Sequence, residues 1–309
     1  MNFAHTPVLP QEVMGLLKPQ PGERYLDGTL GGGGHTEEIL IRSSPDGRVL
    51  ALDWDEDATT ATQRRLSRYQ DRLTIRRTSF ENAGDILTQI NWAPVDGVVL
   101  DLGVSSHHFD VAERGFSFQT SAPLDMRMDR SQPLTAGEIV NAFPVAEIAK
   151  ILAHYGEEPA ARRIAAAIVA ARKERPIETT TELAAIVAAT KKARHHGRHP
   201  ATQTFQALRI AVNRELEALQ RVLERGYEWL RPGGRMVIIS FHSLEDRLVK
   251  NAFRKWTQSC LCPPRVIRCE CGWSQKARRL TRKPIVASAE EVRANPRARS
   301  AKLRAVVRI

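Results

Sequence analysis

The 309-residue sequence has few cysteines and no long hydrophobic run. All four cysteines lie between Cys260 and Cys271, so disulfide bonds cannot staple the rest of the chain, as is usual in a reducing compartment. No stretch approaches the roughly 18 consecutive apolar residues of a transmembrane helix. The first residues, MNFAHTPVLPQEV, lack the basic and apolar regions of a secretory signal. We therefore expect a cytoplasmic protein, or an organellar one if a targeting segment has been lost, with no membrane partner.

Acidic residues are outnumbered, with 46 Lys and Arg against 35 Asp and Glu and a formal net charge of +11. This excess favours a polyanionic partner, because binding releases the counterions that are condensed on phosphate groups. Charge alone does not separate RNA from DNA or from an anionic membrane surface, and it could serve solubility only.

Strand and helix patterns alternate along the first part of the chain. Four short apolar segments are separated by helical ones, and they read as strands of a buried parallel sheet. The expected strands are Arg24–Asp27, Arg48–Asp53, Leu73–Arg76 and Val95–Leu102. This alternation predicts an α/β fold with a parallel, doubly wound, Rossmann-like sheet.

The alternation then stops, and residues 111–204 show helical patterns with almost no strand signal. It resumes with a long amphipathic helix over Thr204–Leu230, a buried strand over Arg235–Phe241 and a closing edge strand over Lys302–Ile309. We therefore predict a discontinuous domain of residues 1–110 and 205–309, interrupted by an inserted helical domain of residues 111–204.

A glycine-rich turn, DGTLGGGGH at 27–35, follows the first predicted strand directly. Consecutive glycines let the backbone approach a ligand closely, and the next helix offers free N–H groups. The run does not present the G-x-G-x-x-G pattern of a dinucleotide site, and it lacks the Lys of a P-loop. Alone, it fits several kinds of nucleotide site or a flexible turn.

Two acids at strand ends narrow the choice of cofactor. Asp53 ends the second strand, where a carboxylate can accept hydrogen bonds from both ribose hydroxyls of a nucleoside. Asp101 lies at the end of the fourth strand. S-adenosylmethionine (AdoMet) has a ribose and a positive sulfonium but no phosphate, so nearby carboxylates favour it. The alternative for Asp53 is an N-cap of the following helix, and for Asp101 a capping or strand-end role.

The ends of the fourth and fifth strands contain no cysteine: they read DLGVSS at 101–106 and SFHS at 240–243. Methylation of pyrimidine carbon 5 generally needs a Cys nucleophile that adds to the ring. Methylation of an exocyclic amine needs only in-line positioning and an acceptor for its N–H. The sequence therefore favours N- or O-methylation.

Three further features remain open. The four cysteines, Cys260, Cys262, Cys269 and Cys271, could ligate a structural zinc ion or could be free thiols on a surface loop. The basic run KKARHHGRH at 191–199, with Lys191 and Arg194, could contact phosphate or be a solvated helix end. His242 could orient a substrate base, although a lone histidine is more often structural.

The motifs resemble those of the bacterial MraW (RsmH) family of 16S ribosomal RNA cytosine-N4 methyltransferases. The resemblance covers the chain from His5 to the C-terminus. The motifs are GGH (33–35), DLGVSS (101–106), ERGFSF (113–118), PLDMRMD (123–129), YGEE (155–158), HPATQTFQALRIAVNRELE (199–217), ISFHSLEDR (239–247) and NPRARSAKLR (295–304).

The resemblance implies a Rossmann-like class I AdoMet methyltransferase sheet with an inserted helical domain for substrate recognition. It implies methylation of a decoding-centre cytidine in 16S rRNA, within the small ribosomal subunit or a late precursor of it. The oligomeric state stays open.

Carried over by position, the AdoMet contacts fall on a short set of residues, of which Phe80 can stack on or flank adenine. They are Gly33, Gly34, His35, Asp53, Phe80 and Asp101. His108 occupies a position where family members often carry Gln, and it too is expected to contact the cofactor. Asp101 and the backbone around Gly103–Ser105 are expected to help position the substrate.

Two other functions compete with this interpretation. A dehydrogenase would bind a nicotinamide cofactor in place of AdoMet, and a ribosome-assembly factor would bind RNA without transferring a methyl group. Titration with both cofactors and an assay of methyl transfer separate the three.

Overall fold

Seven strands form one sheet in the order β3-β2-β1-β4-β5-β7-β6 in the computed structural model, which describes residues 7–104, 111–191, 199–263, 266 and 268–309. The strands are β1 (Arg24–Asp27), β2 (Arg48–Asp53), β3 (Leu73–Arg77), β4 (Val95–Asp101), β5 (Leu230–Ser240), β6 (Ala277–Arg279) and β7 (Lys302–Arg308). Strands β1 to β5 pair in parallel, and β7 is antiparallel to both β5 and β6. The expected α/β, Rossmann-like sheet is confirmed.

The centre of the sheet is buried on both faces. In β2, Val49 and Leu50 are both fully buried, yet they belong to different hydrophobic clusters. The same holds for Val98 and Val99 in β4. Successive side chains of a strand point to opposite faces, so the uninterrupted apolar runs of the sequence are the direct consequence of two covered faces.

Contacts divide the chain into two compact units, one of residues 1–103 with 216–309 and one of residues 104–215. The boundaries expected from the sequence were 111 and 204. The helices of the first unit are α1 (Pro10–Leu17), α2 (Gly34–Arg42), α3 (Glu56–Arg65), α4 (Ala83–Gln89), α10 (Glu215–Arg225, whose first residue belongs to the second unit), α11 (Ser243–Trp256) and α12 (Ala289–Ala294). No described helix is both long and apolar enough to cross a membrane.

The second unit is helical where it is described. Its helices are α5 (Ala136–Ala142), α6 (Val145–Gly156), α7 (Ala161–Glu174), α8 (Thr180–Thr190) and α9 (Thr202–Asn213). Two of them begin with a capping box, formed by Thr135 with Glu138 and by Thr179 with Glu182. Each box satisfies backbone N–H groups that have no partner within the helix, which sets where the helix starts.

Two expectations about the C-terminal part were wrong. The single helix expected over Thr204–Leu230 is two helices, because Arg214 adopts a left-handed conformation (φ 51°) and ends α9. The segment Lys302–Ile309 is not at the edge, since β6 pairs with the outer side of β7. Sequence patterns missed β6 because it has only three residues and two of them are arginines.

Candidate active site

Three neighbouring parallel strands each end in an aspartate. Strands β2, β1 and β4 lie side by side and end at Asp53, Asp27 and Asp101. Because the carboxyl ends of parallel strands meet at one edge of the sheet, this edge concentrates three acids, and it is where open α/β sheets bind their ligands. Such a set of acids favours a ligand that carries hydroxyl groups or positive charge.

The glycine-rich turn runs along this edge and leads into α2. Gly33 adopts φ 76°, a left-handed conformation, and a Cβ there would lie 2.5 Å from Cγ2 of Thr62 on α3. Thr62 donates its hydroxyl to Gly31 O (2.8 Å), and the Arg65 guanidinium donates to Gly32 O (2.8 Å from Nη2). Helix α3 therefore holds the turn, and only glycine fits at position 33 without rearrangement.

Gly34 is the first residue of α2 and is also closely packed. A Cβ at this position would lie 2.9 Å from Cδ of Pro7. The two glycines expected to contact a cofactor thus lie between α3 and the start of the described chain, at the N-terminus of α2. The first backbone N–H groups of a helix have no partner within the helix, so a ligand can accept hydrogen bonds there.

Asp53 joins the turn to the end of β2. Its Oδ2 accepts from Gly31 N–H (2.8 Å), and its Oδ1 accepts from Asp55 N–H (2.9 Å). Each of its two carboxylate oxygens accepts one of these bonds, so the bonds fix the orientation of the side chain. The side chain is partly exposed.

His35 and Asp101 form a close and largely buried pair. Their side chains are 6% and 13% exposed, with His35 Nε2 at 3.6 Å from Asp101 Oδ2. Burial by itself lowers the pKa of His35, but the charge of Asp101, aided by Asp27 and Glu38, outweighs it and raises the pKa above its usual value. Both ring nitrogens of His35 and Oδ1 of Asp101 are buried without a hydrogen-bond partner among the described residues.

Asp27 belongs to the same site and was not predicted as a site residue. It is buried, and it accepts from the Thr36 hydroxyl (2.7 Å) and from Thr29 N–H (3.0 Å). Burial raises the pKa of its carboxyl above the usual value, against these two donors and the nearby His35. Its place at the end of a strand, directly before the glycines, was the signal that could have identified it.

Phe80 begins a short 3-10 helix (Phe80–Asn82) after β3 and is 8% exposed. It packs in the hydrophobic cluster that includes Leu26 and Leu52. A Cβ on Gly28, the first residue of the turn, would lie 3.0 Å from Cβ of Phe80. The structure therefore brings Phe80 to the same sheet edge as the turn.

The residues expected to contact substrate have different positions. Ser105 and Arg194 lie outside the described residues, as does His108, which was expected to contact the cofactor. Lys191 donates from Nζ to Glu158 Oε2 (2.7 Å) and to Pro200 O (3.1 Å). These contacts give Lys191 a structural role within the helical unit, and its contact with RNA stays a prediction.

His242 is the N-cap of α11. Its Nδ1 accepts from Glu245 N–H (3.4 Å), and the Glu245 carboxylate accepts in return from Phe241 N–H (2.8 Å) and His242 N–H (3.3 Å). This is a capping box with histidine in place of the usual Ser or Thr. It explains the SFHSLE motif structurally, while a role of His242 at the substrate stays a prediction.

The four cysteines lie together between α11 and β6. The shortest distances between their sulfur atoms are 3.5 Å, for Cys260 to Cys269 and for Cys269 to Cys271. All four sulfurs lie within 4.8 Å of one another. The sequence left zinc ligands and free surface thiols as alternatives, and this arrangement is compact enough for a single metal ion.

Comparison with known proteins places these features in a family. The sequence model of the MraW methylase family matches residues 2–309 of this chain. A protein of Symbiobacterium thermophilum named "Ribosomal RNA small subunit methyltransferase H" is 54% identical over 311 residues, covering 100% of this chain and 98% of its own. Proteins of the same name from Heliobacterium modesticaldum and Geobacter sulfurreducens are each 51% identical and cover 100% of both chains. The expected resemblance is confirmed, and this chain belongs to the MraW methylase family.

Proposed function

We propose that this protein transfers the methyl group of AdoMet to the N4 amine of a decoding-centre cytidine in 16S rRNA. The observation that carries the proposal is the similarity over the full chain to relatives named as methyltransferases of small-subunit ribosomal RNA. The choice of the N4 amine rests on the family motifs and on the chemistry of the strand ends. A ribosomal RNA substrate implies that the protein acts in the cytoplasm.

The sheet edge fits AdoMet in the kind of groups it presents. Asp53 would accept hydrogen bonds from the ribose hydroxyls, and Phe80 would flank the adenine. Gly33, Gly34 and His35 would contact the cofactor at the start of α2. Asp27 and Asp101 add negative charge suited to a sulfonium and an ammonium group. Oδ1 of Asp101, which has no partner among the described residues, is an acceptor for such a donor.

Bound AdoMet supplies an electrophilic methyl group, so the protein has to place an acceptor nitrogen in line with it. An exocyclic amine needs no covalent activation, and DLGVSS and SFHS contain no cysteine that could provide it. We assign Asp101 the role of positioning the amine, because it ends the central strand β4 and its Oδ1 can accept an N–H. We assign no general base.

The sheet unit also offers a surface for the RNA backbone. One pocket is lined by five cationic side chains, of Lys250, Arg254, Arg279, Arg282 and Arg304, together with Thr281 and Phe253. Among the described residues, only Arg304 of these five pairs with an acid, Asp246 (2.7 Å from Nε to Oδ1). The remaining cations are suited to phosphate groups. We propose the helical unit, residues 104–215, as the part that recognises the rest of the substrate.

The test is mass spectrometry of 16S rRNA from cells with and without the gene, with the wild-type gene and an Asp101→Ala variant returned on a plasmid. We expect loss of one N4-methyl group on a cytidine, restored by the wild type and not by the variant. Purified protein with isotope-labelled AdoMet should label small subunits or their RNA at the same base. An unchanged set of cytidine methyl groups, or a methyl on carbon 5, contradicts the proposal.

A further inference from the structure

We propose that Cys260, Cys262, Cys269 and Cys271 bind one zinc ion that fixes the segment between α11 and β6. Zinc takes four thiolates at about 2.3 Å in a tetrahedron, which requires sulfur–sulfur distances of about 3.8 Å. Four of the six distances are 3.5, 3.7, 4.0 and 3.5 Å, for the pairs 260–269, 260–271, 262–269 and 269–271. The other two are within 4.8 Å. The thiols therefore have the spacing of ligands around a single ion.

Other states of four neighbouring cysteines fit less well. A disulfide bond requires sulfur atoms about 2.05 Å apart, and the shortest distance here is 3.5 Å. In an iron–sulfur cluster the four thiolates are distributed over two or four iron atoms, which separates them more widely as a set than four ligands of one ion. Cysteines with tetrahedral spacing in an otherwise cysteine-free chain are typical of a structural zinc site.

Backbone N–H groups already point at the sulfur atoms. Cys260 Sγ accepts from Cys262 N–H (3.3 Å), Cys271 Sγ from Leu261 N–H (3.4 Å) and Cys262 Sγ from Glu270 N–H (3.4 Å). Such donors orient metal-bound thiolates and offset their negative charge. Each of the two C-x-C segments supplies both N–H donors and sulfur acceptors to this network, so hydrogen bonds connect the two segments.

The described residues of this segment have no regular secondary structure to hold them. Between Trp256 and Ala277 the described residues form no helix or strand, and a connection of this length without secondary structure is uncommon in a compact domain. Its anchors are at the ends: Trp273 Nε1 donates to Gln258 O (3.0 Å), and Lys276 N–H donates to Trp256 O (2.8 Å). A metal ion would supply the missing constraint between these anchors.

The experiment measures metal directly in the full-length protein, purified under reducing conditions and dialysed free of loosely bound ions. Elemental analysis should find one zinc per chain. Replacement of zinc by Co²⁺ should give the intense thiolate-to-cobalt absorption and the visible bands of a tetrahedral four-sulfur site. The double variant C260S/C271S should lose both signals, and Ser259→Ala, an exposed neighbour, should keep them.

Removal of zinc from the wild type by a chelator should lower the Tm by several degrees, and added zinc should restore it. This measurement does not depend on whether the double variant folds. Protein with reduced thiols that neither contains nor takes up zinc or Co²⁺ overturns the proposal. So does iron with the absorption of an iron–sulfur cluster, or a disulfide bond in protein from the cytoplasm.

Discussion

His35 Nε2 lies 3.6 Å from Asp101 Oδ2, at the point where the start of α2 meets the end of β4. The pair joins the glycine-rich turn to the strand that we assign to substrate positioning. Because the His35 side chain is buried and that of Asp101 is only 13% exposed, their charges are weakly screened by solvent. The pKa of His35 therefore depends on Asp101, and a titration of the His35 ring can test the pair.

Asp101→Asn should lower the pKa of His35, because it removes the charge that raises it. With its folded pKa above the unfolded value of 6.5, His35 stabilises the wild type fully below pH 6.5, and this contribution is lost as the pH rises through the folded pKa. The variant should show a weaker dependence, because Asp27 and Glu38 remain near the ring. NMR titration of the His35 ring and urea unfolding across the same pH range measure both effects. An unchanged His35 pKa in the variant, with Asp85→Asn as the exposed control, contradicts the assignment.

Asp53→Ala should weaken AdoMet binding at least about tenfold, since a hydrogen bond to a charged group contributes about 1.5–3 kcal/mol. Isothermal titration of the purified variant measures the affinity. Asp53→Asn keeps an acceptor for Gly31 N–H, so its affinity for AdoMet should lie between those of the wild type and Asp53→Ala. The comparison separates the loss of ribose contacts from a disturbance of the glycine-rich turn. Affinity equal to that of the wild type, in a variant with a normal Tm, would show that Asp53 does not bind the ribose.

Gly33→Ala should destabilise the protein more than Gly22→Ala, although both glycines have φ 76°. The left-handed conformation costs each alanine about 1–2 kcal/mol. At Gly33 the new Cβ also lies 2.5 Å from Thr62 Cγ2, whereas at Gly22 the nearest atom is 3.9 Å away. Overpacking of this kind adds about 1–3 kcal/mol. Unfolding by urea compares the two, and equal losses would mean that α3 yields to the added methyl group.

Arg279→Ala should weaken binding of 16S rRNA and reduce the slope of log affinity against log salt by about 1, as expected for one lost phosphate contact. Arg279 lines the basic pocket and is exposed. Arg48→Ala is the matched control: it removes the same charge at the first residue of β2, away from the carboxyl ends of the strands. Filter binding at several salt concentrations measures both. Equal slopes of log affinity against log salt for the two variants would show that the pocket is not part of the RNA-binding surface.

Lys191→Ala should reduce stability by about 3–5 kcal/mol, because it leaves the Glu158 carboxylate buried without its cation. Adding Glu158→Gln should recover part of the loss. Lys150→Ala, which breaks an exposed pair with Glu147, should cost about 0–1 kcal/mol. Chemical unfolding tests the series. A Lys191→Ala variant of normal stability with weakened RNA affinity would favour the phosphate contact predicted from the sequence.

The strands that carry the site were predictable because their signals are local. Strands β1 and β2 match the predicted ranges, and the ends of β3 and β4 differ by one residue. Uninterrupted apolar runs identify strands buried on both faces, and parallel pairing then brings Asp53 and Asp101 to one edge. The left-handed Arg214 was not predictable, since no glycine or proline marks the break between α9 and α10.

The sequence by itself determined the alternating α/β pattern, the acids at the strand ends, the absence of a nucleophilic cysteine from those ends and the family motifs. Only the tertiary structure decided which of these groups meet. In the folded protein Thr36 donates a hydrogen bond to Asp27, and His35 lies beside Asp101. Lys191 pairs with Glu158, and His242 caps the start of α11. The four thiols lie at the spacing of metal ligands. The physical reason is the range over which each effect acts. Periodicity and capping depend on a few neighbouring residues, whereas the distance between two side chains depends on the packing of the whole core.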